Sequence, residues 1–170
     1  MVSALPSLNL EKRLKYLIRY PYGCIEQTTS SIFPQLYLDQ LLVLDDRTRK
    51  EVEMNIRKGI RRLERFTTST GGFAYWPGGR QASDWSTSYA GHFLLLAKDR
   101  GYYVSSSMLN AWINHQRNVS NSWDFKREKA LSQAYRLYTL ALAGKPNVSA
   151  MNRLREEDEL GAAARFRLAA

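Results

Sequence analysis

Apolar residues recur every three to four positions along most of this 170-residue chain, and this spacing predicts a protein built of α-helices. Each predicted helix is apolar on one face only and is joined to the next by a short connection. About seven such helices fit the chain. The pattern is typical of antiparallel helix pairs packed side by side, as in a helical toroid or solenoid.

The helix boundaries follow from capping residues and helix breakers. The first predicted helix has Ser7 or Asn9 as its N-cap, and its apolar stripe ends at Ile18. A second apolar helix runs on to Leu42. Further helices are predicted from about Asp46 to Phe66, from Trp85 to Asp99 with Asp84 as N-cap, from Ser107 to Gln116 after Ser105 or Ser106, from Phe125 to Ala143 with Asp124 as N-cap, and from Val148 to a break near Gly161. The last residues are strong helix formers with no stop signal, so we expect the chain to end inside a helix of a larger domain.

The segment near residues 67–78 differs from the rest of the chain. It combines Thr, Phe, Tyr and Trp with the pair Gly71-Gly72. Aromatic and β-branched residues around paired glycines are typical of a tight hairpin or an irregular loop. We therefore expect a short β-hairpin or loop here within an all-α fold.

Composition excludes several classes of protein. Apolar residues make up 44% and charged residues 24% of the chain, as in ordinary globular domains. No apolar run reaches the length of a membrane span, so none is predicted in this chain. The formal net charge is +9, and much of it lies on the helix predicted over 46–66. Its arginines alternate with glutamates and no aromatic-rich basic groove accompanies them, so we predict a solvated face and no nucleic-acid partner.

The chain has one cysteine, and its surroundings are unusual. Pro21 stiffens the entry to the segment, and Gly23 allows a sharp turn immediately before a helix. Cys24 then falls in the first helical turn, where backbone N–H groups lack partners. Gln27, three residues later, lies on the same face as Cys24.

This spacing permits one specific reaction between the two side chains. The Cys24 sulfur can attack the Gln27 carboxamide and expel ammonia, which closes a small ring through a thioester. The free N–H groups at the helix start could stabilise the tetrahedral oxyanion. A thioester needs protection from water, and the aromatic residues Tyr20, Tyr22, Tyr75 and Trp76 are candidates for that shield.

The segment Pro21-Tyr22-Gly23-Cys24-Ile25-Glu26-Gln27 closely resembles the thioester signature P-Y-G-C-G-E-Q of the α2-macroglobulin and complement family. Supporting likenesses lie at 71–78, 85–90 and 101–104, so the resemblance spans about residues 5–145. Ile25 replaces the glycine of the animal motif and resembles the bacterial branch. Glu26 matches the acid of the motif and could gate nucleophiles or simply be a solvated first-turn residue.

The resemblance implies a fold and a function. It implies an α/α toroid of which residues 1–170 form a truncated, thioester-containing part, about the first half. It implies a protease inhibitor that captures endopeptidases through lysine amines in a single turnover, rather than an enzyme. It also implies a bacterial host-defence protein in the periplasm or anchored to the cell envelope, with the rest of the parent chain as partner, no cofactor and no metal.

Three other functions remain open from the residues alone. One is a terpene cyclase or prenyltransferase on a similar toroid, although the required acidic or zinc-binding cluster is not visible: Asp45-Asp46 is isolated and residues 156–159 look like a helix surface. A second is a cysteine hydrolase that pairs Cys24 with His92 or His115. His92 suits a core or surface role, and His115 is placed near the end of its predicted helix. A third is a binding module with an inert Cys24.

Overall fold

The computed structural model describes residues 10–125, 129–157 and 160–170, with side chains from residue 13 onward. Almost all of its regular structure is helical. The helices are α1 (Leu10–Lys15), α2 (Ile25–Ile32), a 3₁₀ helix (Pro34–Tyr37), α3 (Leu38–Leu41), α4 (Asp46–Glu64), α5 (Asp84–Asp99), α6 (Ser106–Ser122), α7 (Ala130–Leu142), α8 (Val148–Arg155) and α9 (Ala162–Ala169). The predicted caps Ser7 and Asn9 lie outside the described residues.

Two apolar cores hold these helices together. The larger core lies among the helices from α2 through α6 and contains fully buried side chains such as Ile25, Ile56, Phe93 and Trp112. The smaller one joins α7, α8 and α9 around Leu137 and Leu154. Helix α7 also packs against α5 and α6, which connects the two cores. Within the described residues, no helix is both long and apolar enough to cross a membrane.

The predicted helix from Asp46 is confirmed as α4, and Asp45 caps it by accepting a 2.7 Å hydrogen bond from the Thr48 N–H. Helix α6 begins after Ser105 as predicted, but it extends to Ser122 rather than to Gln116. The predicted helix through Leu42 is interrupted at Pro34, because proline lacks the N–H that would continue the helical hydrogen bonds.

Two predicted caps were wrong. Helix α5 starts one residue earlier, with Ser83 as N-cap, and the Asp84 carboxylate instead pairs with Arg136 at 3.0 Å. Asp124 does not cap α7, which begins at Ala130 after Lys129. The intervening connection carries Trp123 and Phe125, whose rings meet edge to face with centroids 5.9 Å apart. The break at Gly161 is confirmed, since it separates α8 from α9. In the predicted acidic helix surface 156–159, Glu156 is the C-cap of α8, and residues 158–159 lie outside the described residues.

The segment 67–78 forms a compact hairpin-like loop. Isolated antiparallel bridges join Thr67 to Phe73 and Ala74 to Ala82. The Thr87 hydroxyl donates to the Phe73 carbonyl at 3.2 Å and accepts from the Phe73 N–H at 2.9 Å. These bonds fix the loop on α5 and direct its tip, Tyr75 and Trp76, towards the start of α2.

Candidate functional site

The turn that precedes α2 has a backbone shape that only glycine adopts easily. Gly23 has a φ of 85°, in the left-handed region. A Cβ atom at Gly23 would lie 2.0 Å from Gln27 Oε1 and 3.0 Å from Gln27 Cδ. Gly23 therefore serves two purposes: it permits the turn, and it leaves room for the Gln27 carboxamide directly above it.

Cys24 and Gln27 are brought together at the start of α2. Cys24 is the N-cap, one position before the predicted first turn, and its side chain is buried at 3% exposure. The Cys24 N–H donates to Gln27 Oε1 at 3.1 Å. This bond folds the Gln27 side chain back over the helix start, although Gln27 itself is exposed to solvent. Cys24 is thus enclosed by the protein, and Gln27 is accessible to solvent.

Arg62 of α4 holds this turn in place from beneath. Its Nη2 donates to the Gly23 carbonyl at 2.8 Å, and its Nε donates to the Thr28 hydroxyl at 3.2 Å. Thr28 in turn donates to the Tyr22 carbonyl at 3.3 Å. One guanidinium therefore ties both ends of the turn to α4, which a planar two-pronged donor does better than an ammonium group.

The hairpin-like loop contributes Tyr75 to the same place. The Ile25 N–H donates to the Tyr75 carbonyl at 3.1 Å, which satisfies one of the otherwise unpaired donors at the helix start. A hydrogen bond with Cys24, together with the nearby charges of Cys24 and Glu26, raises the pKa of the Tyr75 phenol. The Tyr75 phenol is therefore a hydrogen-bond donor to the Cys24 sulfur rather than a source of protons.

The motif's other residues lie around this centre. Pro21 is buried, and Ile25 is fully buried in the larger core, which explains how a bulky residue is accommodated in the motif. Glu26 accepts a 3.1 Å hydrogen bond from the Ser86 hydroxyl of α5. Its carboxylate is therefore tied to α5.

A groove of about 390 Å³ leads to the exposed Gln27 side chain. Its lining consists of aromatic and polar residues with one leucine and one cation: Tyr16, Leu17, Arg19, Tyr20, Tyr22, Gln27, Ser30 and Ser31. The wall from 16 to 20 is anchored by buried Gln35, whose Nε2 donates to the carbonyls of Arg19 (2.8 Å) and Ser31 (2.7 Å). Asn55 donates to Gln35 Oε1 at 3.2 Å and completes this support.

The four predicted shielding residues are placed differently from one another. Tyr20 and Tyr22 line the groove, and their side chains are 54% and 67% exposed. Tyr75 lies against Cys24. Trp76 packs edge to face on Tyr75, with ring centroids 5.7 Å apart, and is outside the groove lining. Tyr20, Tyr22 and Tyr75 thus lie beside the Cys24–Gln27 pair but leave Gln27 exposed, and Trp76 is linked to the pair only through Tyr75.

Neither histidine joins Cys24 in the contacts of the described residues. His92 Nδ1 lies 3.0 Å from the Tyr135 hydroxyl, and burial lowers the pKa of His92 to about 4. His115 lies in the middle of α6 rather than near its end, because α6 is longer than predicted. Burial also lowers the pKa of His115, so both imidazoles are neutral at pH 7. The described residues contain no cluster of His, Cys, Asp or Glu that could hold a metal ion.

Sequence reasoning missed Arg62, Gln35 and Asn55 as parts of the site. Arg62 was one of many cations on a basic helix, and nothing in its spacing distinguishes it. A signal did exist for Asn55, a polar residue on the apolar face of α4, where a buried amide must find a partner.

Comparison with known proteins identifies the family. Residues 1–125 match the family model described as the A-macroglobulin TED domain. The chain belongs to this family. It is 37% identical over 118 residues to alpha-2-macroglobulin of Escherichia coli K12, and 34% identical over 129 residues to alpha-2-macroglobulin of Rickettsia conorii. These alignments cover 65% and 74% of this chain, but only 7% of each relative.

Solved structures of family members share the fold. Salmonella alpha-2-macroglobulin reacted with methylamine matches with a TM-score of 0.77 and 27% identity, over 96% of this chain and 12% of that one. Trypsin-activated alpha-2-macroglobulin of E. coli matches with a TM-score of 0.72 and 29% identity, over 81% of this chain and 10% of that one. The predicted all-α fold, part of an α/α toroid, is confirmed. The chain spans about a tenth of the length of these relatives.

Proposed function

We propose that Cys24 and Gln27 form an internal thioester and that this chain is part of the covalent capture domain of a bacterial α2-macroglobulin-type protease inhibitor. The observation that carries the proposal is the contact between the Cys24 N–H and Gln27 Oε1. It holds the carboxamide at the residue that bears the sulfur, in a turn where Gly23 leaves the necessary space.

Thioester formation follows from this arrangement. The Cys24 sulfur attacks Gln27 Cδ, the C–S bond forms, and the C–N bond breaks with release of ammonia, which takes up the thiol proton. The Cys24 N–H already bonds to the oxygen that becomes negative in the tetrahedral intermediate. A donor preorganised at an oxyanion stabilises the transition state at little further reorganisation.

In the capture reaction the Cys24 sulfur is the leaving group, whereas ammonia leaves when the thioester forms. A neutral amine attacks the Gln27 carbonyl carbon from the open groove, the C–S bond breaks, and an amide remains on Gln27. The amine proton passes to the departing sulfur, and protonated Tyr75 can hydrogen-bond that sulfur as it leaves. Each site reacts once, since no step restores the thioester. By this proposal the chain captures rather than turns over its target.

The wider setting is also proposed from the family. Relatives include an alpha-2-macroglobulin activated by trypsin and one reacted with methylamine. We propose that this chain likewise meets target endopeptidases through lysine amines, alongside the remainder of a longer parent chain, in the periplasm or on the cell envelope. The proposal needs no cofactor beyond the internal crosslink, no metal and no nucleic acid. It also retains the idea that residues 1–170 form about the first half of the toroid.

Intact-mass analysis tests the central step. The peptide that contains Cys24 and Gln27 should be lighter than its sequence by one ammonia, and methylamine should add to Gln27 and release the Cys24 thiol. Gln27→Ala should abolish both signals, whereas Gln40→Ala, on short helix α3, should leave them unchanged. A full-mass peptide with a thiol present from the start would favour an inert Cys24.

A turnover assay on the same variants distinguishes the thioester from a cysteine hydrolase. That function predicts repeated turnover that tolerates Gln27→Ala and is lost on His92→Ala or His115→Ala. The observed partners argue against it, because His92 bonds to Tyr135 and the His115 ring packs against Gly72. The cyclase and prenyltransferase alternatives lose their basis with membership of the A-macroglobulin family.

A further inference from the structure

The approach to Gln27 is positively charged. Arg19 lines the groove, and the Lys58 ammonium lies 5.1 Å from the ring centroid of Tyr20, another lining residue. Arg62 reaches the Gly23 carbonyl from below. The cations continue along the exposed face of α4, since Arg61 and Arg65 follow Lys58 at helical spacing.

Negative charge is directed away from this approach. Glu26 adjoins Gln27 in sequence, but its carboxylate accepts a hydrogen bond from Ser86 on α5. Among the side chains that the structure describes, no carboxylate lines the groove. Arg19 donates to the backbone carbonyl of Tyr16 at 2.8 Å, and Lys58 has an aromatic neighbour, so neither charge is neutralised by a described acid.

We infer that the cations around the groove select nucleophiles by charge, so that the proposed thioester reacts fastest with amines that carry or adjoin a negative group. On a protein target these are lysines flanked by aspartate or glutamate. This inference rests on the proposed thioester. It gives a role to the part of the net charge of +9 that lies around the groove.

The physical reason is simple electrostatics. The attacking amine is neutral, so the field of Arg19 and Lys58 does not change its local concentration. A second group on the same molecule does feel that field: a carboxylate is attracted and an ammonium is repelled. Across several ångströms of solvent, one unit charge changes the local concentration of an ion by about threefold at low ionic strength, and salt screens the effect.

Three small amines of similar size test the inference directly on the intact protein. They are β-alanine (anionic), 2-methoxyethylamine (neutral) and monoprotonated ethylenediamine (cationic). Rates of Cys24 thiol release, corrected for the fraction of neutral amine and divided by the rate of each amine with a small-molecule thioester, should fall in that order. The span between the first and the last should be about a hundredfold at low salt, because two cations each act on both amines. Added salt should shrink the span. Equal corrected rates for all three amines would overturn the inference.

Matched variants assign the effect to the groove. Arg19→Gln and Lys58→Gln should each shrink the span by about tenfold, because each removes one threefold attraction of the anionic amine and one threefold repulsion of the cationic amine. Arg19→Lys keeps the charge and should keep the span, which separates charge from groove shape. Arg47→Gln, at the far end of α4, should leave the span unchanged; an equal effect there would contradict selection at the groove.

The outcomes also separate the two levels of the proposal. If no amine adds to Gln27 and the peptide has its full mass, the thioester itself is absent and both proposals fail. If methylamine adds to Gln27 but the three amines react at equal corrected rates, the thioester stands and only charge selection fails.

Discussion

At the scale of single residues, the site depends on space as much as on chemistry. Gly23 is the smallest residue in the motif, yet it is the one on which the Gln27 side chain rests. A side chain at this position would occupy the volume that the carboxamide needs. The motif therefore requires glycine for two separate reasons, its backbone angle and its missing Cβ.

Gly23→Ala tests the second reason. Gly101 is the matched control, because its φ of 84° is almost the same but a Cβ atom added there would meet nothing within 4 Å. Each alanine should lower the free energy of unfolding by about 1–2 kcal/mol through left-handed strain. Only Gly23→Ala should also prevent loss of ammonia in the mass spectrum. Thioester formation at the wild-type level in Gly23→Ala would show that the space above Gly23 is not needed.

Arg62→Lys tests whether the guanidinium positions the turn. A lysine ammonium keeps the charge but cannot span both the Gly23 carbonyl and the Thr28 hydroxyl in one plane. The protein should still fold, with a smaller fraction of chains carrying the thioester. Arg61→Lys is the control, since Arg61 is exposed and makes neither contact. The fraction is read from intact mass, and a wild-type value for Arg62→Lys would remove Arg62 from the site.

At the scale of helices, periodicity predicted most of what the structure contains. The apolar stripe from Val52 to Leu63 predicted α4 almost to its ends, because a one-sided stripe of that length has few alternative structures. The motif likewise predicted that Cys24 and Gln27 share a helix start. Short-range signals were less reliable: Asp84 and Asp124 are good N-cap residues, but Asp84 pairs with Arg136 inside the first turn of α5, and α7 begins only after Lys129.

The supports of the site could not be predicted for a different reason. Arg62, Gln35 and Asn55 act through contacts between residues 16 to 39 positions apart in sequence. No local pattern encodes which of several cations on α4 will face the turn. Only the packing of α2 against α4 determines this.

The contact between α5 and α7 should make stability depend on pH. His92 bonds to Tyr135 and packs edge to face on Phe33, and burial lowers its pKa to about 4 from an ordinary value near 6.5. Between these two values the unfolded chain binds a proton at this residue that the folded chain does not. The free energy of unfolding should therefore fall as the pH drops from about 6.5 towards 4.

Thermal unfolding of His92→Gln measures this contribution. Glutamine can still hydrogen-bond the Tyr135 hydroxyl but does not titrate. The Tm of the variant should fall less than that of the wild type between pH 6.5 and pH 5, a window above the ordinary carboxylate range. Parallel curves for the two proteins would contradict the assignment to His92.

At the scale of the whole molecule, the two cores meet at several polar contacts, and one of them is an ion pair. Arg136 of α7 is completely buried and lies 3.0 Å from the carboxylate of Asp84, which is 48% exposed. The nearby Trp85 and Tyr135 rings, with centroids 5.0 Å apart, add an aromatic contact to the same junction. The Cys24–Gln27 pair lies at the start of α2, whose buried residues Ile25 and Ile32 belong to the larger core.

Asp84→Asn should therefore loosen the smaller core without removing the site. The substitution takes the carboxylate of Asp84 away from the buried Arg136 cation, and water can replace only part of that interaction because Asp84 is half-exposed. We expect a loss of about 1–3 kcal/mol in the free energy of unfolding, with faster amide hydrogen exchange in α7 and α9. Asp99→Asn, an exposed aspartate at the other end of α5, should be neutral or slightly stabilising, since a negative charge is unfavourable at a helix C-terminus. Ammonia loss at Gln27 should persist in both variants. If Asp84→Asn abolished ammonia loss while α7 exchanged at the wild-type rate, Asp84 would act on the site itself and not on the contact between the cores.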